Sequence, residues 1–79
     1  MMKYAVTACH DGVDSGTYEV SPTLGLARLD AIALSRFDEV NDYRIYEFED
    51  GEIGDIVAIY QNDFGNVSDI FDGDPDNWF

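Results

Sequence analysis

The residues best placed to do chemistry in this sequence are acids. Glu47 and Glu49 lie two apart, so on extended backbone they point the same way at about 6.4–6.8 Å. Asp50, Glu52 and Asp55 follow across a turn, and Asp38, Glu39 and Asp42 precede them. Such carboxylates have two chemical uses. In pairs they perform acid–base work, as in glycosidases. In a row they present negative charge to a cationic surface. The first use needs an enclosing cleft, which 79 residues are hard put to build. The second needs only exposure. Duplex DNA carries one phosphate per about 3.4 Å of axis per strand, and a protein that grips DNA through Lys and Arg gains from counterion release. Carboxylates spaced along a strand offer that protein a substitute.

A second acidic row is Asp69, Asp72, Asp74 and Asp76. Its Asp-x-Asp-x-Asp core matches the opening of a calcium loop, but Asn77 stands where the loop needs Gly, and residue 79 precedes the position of the bidentate Glu. The plainer reading is a solvated acidic segment. Cys9 and His10 are the only cysteine and histidine. Adjacent on a strand, they point to opposite faces and cannot act as nucleophile and base. One Cys and one His supply neither a triad nor a zinc set. Gly12 and Gly16 sit beside acids, which would repel a phosphate. No catalytic residue, metal ligand or cofactor is therefore assigned.

The elements that must hold these acids are legible from pattern. Residues 3–9 alternate, with Tyr4, Val6 and Ala8 on one face, as in a half-buried strand. Asp11-Gly12 and Ser15-Gly16 punctuate a turn region, and residues 17–20 form a short second strand. Ser21-Pro22 predicts a helix start, with Ser as N-cap and Pro at the first helical position. The helix is expected to reach about residue 38, with Leu26, Leu29, Ala33 and Phe37 on its buried stripe, Ala27 and Leu34 beside it, and Arg28, Ser35 and Arg36 opposite. Residues 43–49 and 53–60 form strands around Asp50-Gly51, a strong hairpin signal. Ile56, Ala58 and Tyr60 are the expected inward face of the second. Residues 61–66 read as a turn, 67–71 as a short helix or an edge strand, and 61–79 as an irregular acidic C-terminal segment. The expected fold is a single α+β domain over residues 1–79. It is an antiparallel sheet of three to four strands with one main helix packed on one face.

Charge is unevenly spread over this frame. The chain carries 17 acids against 4 bases, a net of −13. Residues 1–37 contribute −1 and residues 38–79 contribute −12, with Arg44 their one cation. Such asymmetry points to an interaction surface in the second half, the alternative being a solvated face without a partner. Apolar residues (46%) and aromatics (14%) suffice to seed a core and argue against disorder. The net charge disfavours direct binding of nucleic acid. A lone cysteine fits a reducing compartment, and no apolar run approaches the ~18 residues of a membrane span. The expected location is the cytoplasm, as a monomer or an edge-paired dimer. Among the aromatics, Trp78 and Phe79 are candidate binding anchors, equally able to cap the sheet.

Short length, acidity concentrated in one half and an α+β pattern together resemble phage-encoded inhibitors that mimic DNA, the anti-CRISPR proteins in particular. The resemblance spans the whole chain in character and rests on no diagnostic motif. It implies a non-enzymatic inhibitor, acting in the bacterial host cell. The inhibitor would bind the positively charged DNA-binding surface of a CRISPR effector complex, a type I surveillance complex subunit by class habit. Glu47, Glu49, Asp50, Glu52 and Asp55 would carry the interface. Asp38, Glu39, Asp42, Asp69, Asp72, Asp74, Asp76 and Trp78 would support it. Antirestriction proteins are similar in logic. A non-mimic binding module working through exposed aromatics is the other expectation.

Overall fold

The structure, a computed structural model, describes residues 2–16 and 18–71. It is α+β. Six antiparallel strands, β1 (Lys3–His10), β2 (Val13–Asp14), β3 (Glu19–Ser21), β4 (Asp42–Glu49), β5 (Glu52–Asp63) and β6 (Asn66–Asp69), form one sheet with one helix, α1 (Leu24–Arg36), packed on it. The sheet order is β2-β1-β4-β5-β6, and β3 pairs with β1 on the edge that β2 also uses. The strand count exceeds the expected three to four for two reasons. The first edge is split into two short pieces, and a further hairpin follows β5.

Three hairpins close through two-residue turns in the left-handed region: Asp11-Gly12 (φ 51° and 80°), Asp50-Gly51 (53° and 76°) and Phe64-Gly65 (52° and 88°). Positive φ at both central residues matches the twist of antiparallel strands. The third turn corrects the reading of residues 61–79 as irregular. β5 runs on through Gln61, Asn62 and Asp63, and Asn66–Asp69 returns as an edge strand. Phe64 hides this turn from sequence, because Phe is not a turn residue. Residues 72–79, with Asp72, Asp74, Asp76, Trp78 and the calcium-like spacing, lie outside the described residues.

The helix begins later than Ser21-Pro22 suggests. Ser21 belongs to β3, opposite Tyr4, and its hydroxyl donates to Asp30 Oδ2 at 3.2 Å. The cap is Thr23, extended at φ −134°, whose Oγ1 accepts from the Leu26 amide at 3.2 Å. The buried stripe also differs. Ala27, Ala31 and Ser35 face the sheet, packing with Val6, Ile45, Ala58 and Tyr60, while Leu24 and Ile32 flank them. Leu26, Leu29, Leu34 and Phe37 are exposed, Leu29 by 65% and Phe37 by 92%. Small residues let the helix backbone approach closely, and the sheet's own large side chains fill the space between.

Two irregularities in the β4–β5 register, between Ile45 and Tyr46 and between Tyr46 and Phe48, change which β5 residues share a face. Ala58 lies opposite Ile45 and Tyr60 opposite Tyr43, both on the helix side as expected. Ile56 pairs with Tyr46 instead and so turns to the other side of the sheet. A bulge adds one residue to one strand, which inverts the parity of everything beyond it.

Candidate functional site

Glu47, Glu49, Asp50 and Glu52 come together at the tip of the β4–β5 hairpin. With Met2, Ile53 and Gly54 they line a shallow depression of about 260 Å³. Glu49 lies directly opposite Glu52 in the ladder. Like charges in that position destabilise a strand pair. Glu47 projects to the helix side, since it pairs with Tyr4, and a Cβ on Gly54 would stand 3.4 Å from the Glu47 Cβ. Gly54 therefore leaves room beside this carboxylate. Among the described residues no ion pair engages any of these four acids. Lys3 and Asp50 share the rim of a neighbouring depression without closing one. Asp55, expected in the same row, is exposed on β5 but does not line this depression.

The supporting acids lie elsewhere. Strand β4 separates Asp42 from Glu49 by about 23 Å at the usual rise per residue. Asp38, Glu39 and Asp42 thus sit at the far end of the sheet. Asp38 is committed internally. Its Oδ1 accepts from the amides of Val40 (3.0 Å) and Asn41 (3.1 Å), and its Oδ2 from Asn41 Nδ2 and the Tyr43 hydroxyl, both 2.8 Å. The Asn41 side-chain Nδ2 is the largest cause holding its pKa down at about 2. The Tyr43 hydroxyl and the two backbone groups add to it, against an opposing effect of burial. This carboxylate fastens the chain leaving the helix and has little left for a partner. Glu39 is exposed, and Asp42 is half-buried opposite Cys9. Asp69 is exposed on β6, opposite Tyr60, and accepts from the Phe71 amide at 3.0 Å.

The same far end carries an apolar feature that sequence reasoning missed. Asn62 Nδ2 donates to the Ser35 carbonyl at 2.6 Å, and Asn62 Oδ1 accepts from the Gly65 amide at 2.8 Å, joining the end of the helix to the β5–β6 turn. Phe37 and Phe64 flank this junction, 92% and 93% exposed. Phe64 also holds a left-handed backbone that a bulky side chain adopts only at a cost. The available signal was Phe64 between Asp63 and Gly65, an aromatic where a polar turn residue belongs.

Cys9 is buried, and burial pushes its thiol pKa up, which disfavours the reactive thiolate. His10 is exposed and within 3.3 Å of Asp11. A larger depression of about 400 Å³, bordered by Tyr18, Leu34 and Tyr43, has Glu19 as its one charged wall. Among the described residues no three potential metal ligands assemble, and no helix is long and apolar enough to cross a membrane. Comparison of the chain with protein-family models, with curated proteins and with solved structures finds no match.

Proposed function

We propose that this chain is a DNA-mimic inhibitor that seats the acidic β4–β5 hairpin on a basic DNA-binding protein surface. The surface belongs to a CRISPR effector complex of the bacterial cytoplasm, with a type I surveillance complex as the first candidate. The observation that carries the reading is the hairpin tip. Four carboxylates meet there with no cation paired to them among the described residues, and Glu49 faces Glu52 where a stabilising pair would fit. Folding pays for that repulsion, and a cationic partner relieves it. The hairpin is also closed by a favoured two-residue turn. The test is competition between the protein and duplex DNA for the effector complex. Affinity is expected to fall steeply with salt, and Glu47→Lys, Glu49→Lys and Glu52→Lys together are expected to abolish inhibition with the circular dichroism spectrum unchanged. Full inhibition by the folded triple variant would sink the proposal.

A second reading has its own support. Phe37 and Phe64 project into solvent at the end opposite the hairpin, Phe64 from strained backbone. Aromatics held out in this way suit the anchor positions of a protein-binding module. In that case Phe64→Ala weakens partner binding more than the triple charge reversal does, and salt has little effect.

A further inference from the structure

The helix covers only one side of the sheet. On the other side the register aligns Val20, Tyr46, Phe48, Ile53, Ile56 and Ile59 from three strands. None of them belongs to the core cluster beneath the helix. Tyr18 extends this apolar field, its ring edge-on to Tyr46 at 6.5 Å. No described element lies over it. We infer that this face joins a second copy of the chain, sheet against sheet, in a two-fold dimer.

Three observations select that occupant. The first is charge. In a chain of net −13, this face holds Lys3 and Arg44 against Asp14 and Asp42, two cations and two carboxylates. Glu47, Glu49 and Glu52 project to the helix side, away from it, so two copies meet here with their acids turned outward. The second is area. The molecule measures 36 × 33 Å across and 22 Å in thickness. Its open face is broad enough to supply the ~800 Å² per partner of a standard interface. The helix, 13 residues and so about 20 Å long and about 10–12 Å across, presents a smaller footprint than that. The third is the ion pair that links β4 to the edge strand β2 on this face. Arg44 Nη1 lies 3.9 Å from Asp14 Oδ1, and Tyr46 donates to Asp14 Oδ2 at 3.3 Å. Arg44 Nε and Asp14 Oδ1 are already shielded from water without a hydrogen-bond partner. Excluding the remaining water strengthens this charge pair. A sheet-on-sheet packing of this kind places the two layers about 10 Å apart, as in a sandwich.

The test is sedimentation equilibrium of the full chain across protein and salt concentrations. The expected species has twice the 8.9 kDa chain mass. Its dissociation constant should fall as salt rises, because salt screens the residual repulsion between copies. That sign is opposite to the salt dependence of the proposed inhibitory contact, so either idea can fail without the other. Val20→Lys with Ile53→Lys, at sites 43% and 39% exposed in the single chain, keeps the new ammonium groups solvated in the monomer and lowers its net charge. The pair is expected to weaken the dimer by about 100-fold or more, with the melting curve of dilute protein unchanged. Leu29→Lys on the helix stripe is expected to leave the dimer intact. A monomer at every concentration overturns the inference. So does a dimer that survives V20K/I53K, that dissociates as salt is added, or that is lost with Leu29→Lys. A labelled single-stranded oligonucleotide whose binding to a monomeric chain requires Val20 and Ile53 would assign the face to stacked bases and overturn it as well.

Discussion

Asp38 shows how one carboxylate can leave an acidic surface and become structure. Four donors converge on it, and its pKa falls from the usual 3.8 to about 2. A depressed carboxylate stabilises the fold above its unfolded pKa and loses that contribution as pH falls through the folded value. The Asp38 share should therefore drain between about pH 4 and 2. Its partner Tyr43 is raised to about 12, by burial first and then by the bond to Asp38. A raised pKa stabilises below the unfolded value, so this share is lost between about pH 10 and 12. Asp38→Ala is expected to cost about 2 kcal/mol in urea unfolding, because it leaves several donors without an acceptor. Tyr43→Phe should cost about 1 kcal/mol and move the acid transition to higher pH. An unchanged acid transition in Tyr43→Phe would show that the hydroxyl does not hold Asp38 down.

At the scale of elements, the helix and the β4–β5 hairpin decide what the molecule shows to its surroundings. The helix packs by its small residues, Ala27, Ala31 and Ser35, and turns Leu26 and Leu29 outward. Ala31→Leu is expected to destabilise by about 1–3 kcal/mol, since it forces the helix off the sheet. Leu29→Ala should change stability by less than about 0.5 kcal/mol. Thermal or denaturant melting of the two variants checks this, and the opposite order would mean that the Leu-rich stripe is the packed one. In the hairpin, register irregularities on β5 send Ile56 to the open face while Ala58 and Tyr60 stay under the helix. One strand thereby serves the core and the open apolar surface.

For the whole molecule, the segregation of surfaces matters most. Clustered acids occupy the hairpin tip, two exposed phenylalanines the opposite end, and a nearly neutral apolar field the side away from the helix. A net charge of −13 on one small domain opposes its own folding. Raising salt from low to physiological ionic strength shortens the Debye length to about 8 Å. The melting temperature of dilute, monomeric protein should rise as a result, and a flat or falling melting temperature would show that the acids are already compensated. The same salt weakens a charge-driven contact with a basic partner and favours contact between copies, which keeps the two surfaces experimentally separable.

By itself the sequence determined the local events, because each rests on chemistry within a few residues. These are the alternation of Tyr4 and Val6, the helix that follows Ser21-Pro22, and the Asp50-Gly51 turn that joins Glu47 and Glu49 to Glu52. The grouping of those acids at one tip follows from that turn alone. The α+β class follows from the order of the pieces. What lay beyond it needed distant partners. Which side of the helix is buried depended on how closely the sheet could be approached, and periodicity is blind to that distance. Ile56 changed sides because a bulge opposite Tyr46 shifts parity. The β5–β6 hairpin formed although Phe64 is a poor turn residue, since strand pairing and the Asn62 bridge to Ser35 outweigh local preference. Asp38 became an internal acceptor because the chain folded four donors around it. Only the tertiary structure decided these, since each is a competition between a local preference and contacts supplied from elsewhere in the chain.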